Sequence, residues 1–216
     1  MARISVERRR DLLVQAAFRV IADHGVEAAT TRRISAEAEM SLASFHYAFA
    51  SRDELLAELV ARGTSDEFAT ITAPLTPPVA EPGGSSTSSD GSWTLPDDIG
   101  VLLKAGLMSY LDSVIADPGR EAAMITLAQY ARRTEGLEHF ARRLYERYYE
   151  IAQASLEAAA AAMDLSWATD PKDLAPLVVA ATDGLTLAYL NTGDREIAER
   201  IIDSTVAMLR GHVAAR

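Results

Sequence analysis

Thr30-Thr31-Arg32-Arg33-Ile34-Ser35-Ala36-Glu37-Ala38-Glu39-Met40-Ser41-Leu42-Ala43-Ser44-Phe45-His46-Tyr47-Ala48-Phe49-Ala50-Ser51-Arg52-Asp53-Glu54-Leu55 divides into three short helical segments at two points of punctuation. Thr30, Ser41 and Ser51 are each placed to cap a helix, because a side-chain oxygen at the N-cap accepts from an amide that the first turn leaves unpaired. Glu54, three residues after Ser51, is positioned to complete a capping box. The first two segments are short and meet at a tight corner. That is the geometry of a helix-turn-helix, whose second helix enters the major groove of DNA. Phe45 and Phe49 are four residues apart, so they share a face and pack inward. Ser41, Leu42, Ala43, Ser44 and His46 are left to face DNA. Small Ala43 and Ser44 allow close approach to base edges.

The stretch resembles the DNA-binding domain of TetR/AcrR-family transcriptional regulators. Their pattern runs Thr-x-x-x-Ile-Ala-x-x-Ala-Gly-Val-Ser, then a recognition helix of small residues, then Tyr-x-x-Phe-x-[Ser/Asn]-Lys-x-x-Leu. Thr30, Ile34, Ala38, Ser41, Phe49, Ser51 and Leu55 match it, and Leu12–Gly25 resembles the family's first helix. The likeness covers roughly residues 8–60. Arg52 stands where the family has Lys, so the resemblance implies a phosphate contact there. Glu39 replaces the turn glycine and must avoid, or bear the strain of, a left-handed backbone. His46 replaces a phosphate-binding Tyr, which makes DNA affinity responsive to pH. The expected interface is therefore Thr30, Arg32, Arg33, Ser41, Leu42, Ala43, Ser44, His46, Tyr47 and Arg52, with Tyr47 ambiguous between core and phosphate contact.

A net charge of −10 argues at first against a nucleic-acid partner, but its distribution weakens the objection. Residues 1–62 hold nine Arg and nine Asp or Glu, so the remaining 12 basic and 22 acidic residues carry the excess. Arg3, Arg8, Arg9 and Arg10 join Arg32, Arg33 and Arg52 as cations available to phosphates. The chain has no cysteine, which excludes disulfides, thiolate metal sites and a cysteine nucleophile. No run of 18 apolar residues is free of charge, and the first residues lack the apolar core of a signal peptide. A cytoplasmic protein without a membrane partner is expected.

The fold class expected is all-α, with about nine helices. Helix 1 runs from Val6 to His24, and helix 4 from Arg52 to about Ile71. Residues 73–94 are rich in Pro, Gly and Ser and read as a disordered insertion, with Trp93 beside it as a possible lid residue. Beyond it lie helix 5 (97–115), closed by Asp117-Pro118-Gly119, and helix 6 (120–133), closed near Gly136. Helices 7 (137–163), 8 (171–190) and 9 (195–213) follow. The expected domains are residues 1–60 for DNA and 61–216 for ligand binding and dimerisation.

The resemblance implies a ligand cavity in the second domain, between helices 5, 6, 7 and 8. Met108, Tyr110, Leu111, Met124, Tyr130, Phe140, Leu144, Tyr148 and Tyr189 are candidates, although such a stripe at helical spacing also suits plain core. Asp183, in the middle of apolar helix 8, wants a partner or water: it serves an effector or a dimer contact. Ile197, Ile201, Thr205 and Met208 recur at helical spacing on helix 9. Leu177, Ala181, Gly184, Leu185 and Ala188 do so on helix 8. Branched residues facing small ones suit a homodimer through these two helices. No catalytic motif is present, and His24, His46, His139 and His212 lack ligand spacing, so neither enzyme activity, cofactor nor metal is expected.

The reading is a DNA-binding regulator, in the resemblance a repressor, released from a pseudo-palindromic double-stranded operator by an unknown small-molecule effector. Two rivals stay open: control by a protein partner instead of a ligand, and a helical enzyme in which the motif only packs.

Overall fold

The structure, a computed structural model, describes residues 5–72, 98–135 and 137–214. The expected insertion at 73–94, Trp93, Arg3 and Gly136 lie outside them. Nine α-helices occur among the described residues: α1 (Val6–His24), α2 (Thr31–Glu37), α3 (Leu42–Ala48), α4 (Arg52–Thr72), α5 (Ile99–Ala116), α6 (Pro118–Arg133), α7 (Glu138–Ala162), α8 (Pro171–Thr192) and α9 (Arg195–Arg210). A 3-10 turn, Val26–Ala28, links α1 to α2. No strand is present among the described residues, only an isolated bridge between Trp167 and Val213, and α9 ends at Arg210, short of its expected end.

The start of α6 departs from expectation for a local reason. Asp117-Pro118 opens α6 instead of closing α5. Pro118 sits in the first turn, where its missing N–H costs no hydrogen bond, and the Asp117 side chain accepts from the Arg120 amide at 3.0 Å.

Packing divides the chain into two compact units that are not consecutive in sequence. The first comprises Met1–Asp66 and Val114–Tyr148; the second, Glu67–Ser113 and Tyr149–Arg216. The expected division at residue 60 follows the chain, whereas this packing places α6 with the helix-turn-helix. The first unit holds 15 of the 21 basic and 15 of the 31 acidic residues, leaving 6 and 16 in the second, which thus carries the whole net charge.

The core of the first unit joins Leu13, Ala17, Val20 and Ile21 of α1 to Ile34, Phe45, Phe49, Leu55 and Leu59, with Ala123 and Leu127 of α6. Arg10 clamps its edge. Its guanidinium donates to Ala48 O at 2.7 Å and pairs with Glu54 at 3.0 Å and Glu58 at 3.2 Å. It also lies 4.1 Å from the Phe49 ring centroid. Arg62 binds Glu58 and Asp11, which completes the tie between α1 and α4.

In the second unit, Leu156, Leu174 and Leu209 form a buried cluster. The hydroxyls of Tyr110 and Thr186 lie 2.8 Å apart in its interior. Lys104–Asp203, Arg195–Asp112 and Arg210–Asp98 pair α5 and the residue before it with α9. By length and hydropathy, α5 and α8 are each apolar enough to span a bilayer, but half of the apolar stretch of α5 is buried in the protein and 28 % of that of α8. Each helix also carries charges, Lys104 and Asp112 on α5 and Lys172, Asp173 and Asp183 on α8. They read as bundle helices, and α8 keeps an apolar face open.

Candidate nucleic-acid interface

The helix-turn-helix is built by local hydrogen bonds. Thr30 Oγ1 accepts from the Arg33 amide at 3.2 Å and starts α2. Ser41 Oγ accepts from the Ser44 amide at 3.2 Å and starts α3, with the Ser41 and Ser44 hydroxyls 3.0 Å apart. Ser51 Oγ accepts from the Glu54 amide at 3.1 Å. The Glu54 carboxylate reaches past Ser51 to the Ala50 amide at 2.7 Å, so the expected capping box closes one residue early. That bond, with Arg10 beside it, holds the Glu54 carboxyl below the usual range. At Glu58 burial alone would raise the carboxyl, but Arg62 and Arg10 outweigh it and hold it low.

The corner between α2 and α3 is a Schellman turn without glycine. Glu39 adopts φ +54°, its amide donates to Ala36 O at 3.0 Å, and the Met40 amide donates to Ser35 O at 2.8 Å. Glu39 therefore takes the left-handed backbone, and Met40 packs against the core behind it. The turn survives because two carbonyls at the end of α2 gain partners, which offsets a steric cost of about 1 kcal/mol.

The outward surface then follows from helix phase. Thr30, Arg32, Arg33, Ser41, Ala43, His46 and Tyr47 are exposed, and Ser44 is half-buried. Tyr47 is 63 % exposed, which resolves its ambiguity toward the surface. His46 stands edge-on to Phe45, with ring centroids 5.5 Å apart. Leu42 is half-buried, as Ser44 is, and packs in part against the core.

Arg52 is the largest departure. Its Nε donates to Ala29 O at 2.9 Å and its Nη2 to Val26 O at 2.6 Å, and its guanidinium carbon lies 5.5 Å from the Tyr130 ring centroid. The side chain points inward, not at a phosphate. Arg10 is committed in the same way. Its phase was readable, since Arg10 falls three, four and seven residues before the buried Leu13, Val14 and Ala17. Sequence reading missed the pairing of Arg9 with Tyr47, whose ring centroid lies 4.9 Å from the guanidinium.

The expected ligand-site residues are shared between the two units. Met124, Tyr130, Phe140, Leu144 and Tyr148 belong to the first unit; Met108, Tyr110, Leu111, Asp183 and Tyr189 belong to the second. Met124 and Leu111 are buried core, and the Tyr110 hydroxyl is taken up by Thr186. Met108, Tyr148, Asp183 and Tyr189 are half-buried. Tyr130, Phe140 and Leu144 do meet, around a cavity of about 10 Å³ in the first unit.

Of the expected dimer residues, Leu185 is 1 % exposed and faces its own protomer's interior, and Thr205 is buried. Leu177 and Gly184 are exposed, Ala181 and Ala188 half-buried. The exposed stripe of α8 is Leu177, Ala180, Gly184, Leu187 and Asn191. On α9, Ile197, Ile201, Thr205 and Met208 line an open groove of about 460 Å³ with Arg200 and Ser204.

Residues 13–59 match the family of bacterial regulatory proteins called tetR, and residues 102–214 match the C-terminal region of BetI-type transcriptional repressors. The nicotine-responsive transcriptional repressor HdnoR of Paenarthrobacter nicotinovorans is 26 % identical over 206 residues, covering 94 % of this chain and 96 % of its own. A putative TetR-family regulator from Rhodococcus superposes with a TM-score of 0.71 at 19 % identity, covering 93 % of this chain and 97 % of its own. The SmeT–triclosan complex does so at 0.65 and 18 %, covering 93 % and 90 %.

Proposed function

The chain belongs to the tetR family of bacterial regulatory proteins, and on that premise we propose that it is a DNA-binding repressor released from its operator by a small organic effector. The family is one of transcriptional regulators, which are not enzymes, and they act as dimers on operator DNA. The observation that carries the reading is the surface of α3. Ser41, Ala43, His46 and Tyr47 stand exposed on one short helix whose opposite face is anchored by Phe45 in the core. Small and hydroxyl side chains at the front of a recognition helix suit base edges, and Arg32, Arg33 and Arg9 beside it suit phosphates.

Dimerisation through α8 and α9 supplies the second half. The open apolar stripe of α8 and the α9 groove support that assignment. A two-fold dimer reads two half-sites about one helical turn apart, so the operator is a pseudo-palindrome. The effector rests on two similar proteins: one relative matched along 96 % of its length is a nicotine-responsive repressor, and one structure of the same fold is a complex with triclosan. The site of action is the compartment that holds the genome, the bacterial cytoplasm.

The test is selection of duplexes from a random pool by the full chain, followed by gel shift of the enriched sequence. A two-fold symmetric motif bound in preference to its scrambled version is expected. Enrichment of no motif would sink the reading.

A further inference from the structure

We propose that the Tyr130 ring connects an apolar effector crevice to the DNA-reading helices by positioning Arg52. The inference rests on the reading of the protein as an effector-controlled DNA binder, and it names the class of effector: uncharged and largely apolar.

The crevice lies inside the compact unit that holds the helix-turn-helix. Leu56 and Val60 of α4, Leu127 and Tyr130 of α6, and Phe140 and Leu144 of α7 line it. No charged side chain does among the described residues. A charged guest would lose its hydration there without gaining a partner, which selects for a neutral one. The volume of about 10 Å³ is room for about one water, so the crevice is too small for an organic guest as it stands. A guest therefore enters only by displacing a wall. Leu56, Leu127 and Leu144 are all at most 4 % exposed and locked in the core, whereas Val60, Leu137, Tyr130 and Phe140 are half-buried, and the two rings are the largest of these walls.

Of those two rings, Tyr130 has a second role. Its face is the platform for the Arg52 guanidinium at 5.5 Å, within the reach of a cation–π contact. Arg52 in turn holds Val26 O and Ala29 O, the two ends of the turn that delivers the chain to Thr30, the N-cap of α2. Turning Tyr130 to admit a guest removes the platform, frees the fork from one or both carbonyls, and loosens the start of α2. The recognition helix α3 follows, because the Schellman turn joins it to α2. The guest thus favours the loosened form, in which alone its site exists, and weakens DNA binding by that differential affinity.

The probe is N-phenyl-1-naphthylamine, neutral and fluorescent in apolar surroundings, with anionic 8-anilinonaphthalene-1-sulfonate as the contrast. The full chain is titrated with and without its selected duplex, and amide hydrogen exchange is read at residues 28–34. The expected result is binding of the neutral probe in preference to the anionic one, at least fivefold weaker DNA binding in its presence, and faster exchange at the start of α2. Phe140→Ala, which widens the crevice, binds the probe more tightly. Tyr130→Phe keeps the full response. Tyr130→Leu still binds the probe, but its turn already exchanges fast and its DNA affinity no longer responds. Arg52→Lys, which keeps the charge but cannot bridge two carbonyls, behaves as Tyr130→Leu does. Tyr130→Leu and Arg52→Lys variants that respond as the parent does would overturn the relay. A probe that fails to bind a chain still competent for DNA, or that ignores Phe140→Ala, would overturn the crevice. A chain that binds probe and loosens its turn but binds no duplex supports the relay and overturns operator binding instead.

Discussion

The Arg9 guanidinium carbon lies 4.9 Å from the centroid of the Tyr47 ring, and Tyr47 is 63 % exposed on the recognition helix. The contact fixes a cation from α1 beside the helix meant for the major groove. Arg9→Ala should weaken binding on all duplexes alike and reduce the magnitude of the salt slope by about one, because one phosphate contact is lost. A slope unchanged from the parent removes Arg9 from the interface.

Arg52→Ala should behave oppositely. Its guanidinium serves Val26 O and Ala29 O, so its removal costs about 1.5–3 kcal/mol of stability and leaves the salt slope alone. Urea unfolding and salt titration of one preparation separate the two effects. A lowered slope at parental stability would return Arg52 to the phosphates.

Arg52 also marks where sequence reading stops. The caps at Thr30, Ser41 and Ser51 were legible because each is a bond to an amide three residues on. The helix phase that buries Phe45 and Phe49 was legible for the same reason: it is local. Whether Arg52 turns outward or inward depends on Tyr130 and on carbonyls 23 and 26 residues away, which no local pattern reveals. The inward turn of Leu185 was no more legible. On a helix apolar nearly all round, spacing alone does not say which stripe meets its own protomer.

Glu39 holds φ +54° in a turn that favours glycine. Glu39→Gly should therefore stabilise the protein slightly, by up to about 0.5 kcal/mol, once the entropy glycine adds to the unfolded chain is set against a steric cost of about 1 kcal/mol. Asp164, at φ +51° after α7, offers an independent repeat. A melting temperature that falls in Glu39→Gly would show that the side chain contributes more than the backbone loses.

Acid should act with two signs. The Glu54 and Glu58 carboxyls are held below their ordinary value of 4.5. Their contribution is present above that value and lost as pH falls through the lower, folded values. Burial pushes Glu121 up, opposed by Arg120 and aided by Asp117, so its ionised form costs stability at neutral pH and the cost vanishes in acid. Glu121→Gln should raise the melting temperature at pH 7 and lose that advantage at pH values below about 4.5. Glu58→Gln should lower it at pH 7 and converge with the parent in acid. A Glu121→Gln advantage that does not vary with pH would assign the effect to packing.

Leu177 and Leu187 are each 47 % exposed on the same α8 stripe as Gly184, where an added Cβ meets nothing within 4 Å of its own protomer. Two apolar side chains left half in water flank a gap that suits a second helix laid against the first. Leu177→Glu with Leu187→Glu should leave the protomer folded, because neither side chain fills the core, and yield a monomer in sedimentation velocity. Gly184→Leu should do the same by bulk alone, with the protomer itself no less stable. Leu185→Glu is the control that must differ: at 1 % exposure it places a carboxylate in the core and unfolds the chain. Monomers should bind a full palindrome about a hundredfold more weakly, because the second half-site no longer adds to the first. If the Leu177/Leu187 variant still sediments as a dimer, the two-fold contact lies elsewhere and the half-site spacing must be derived from another face.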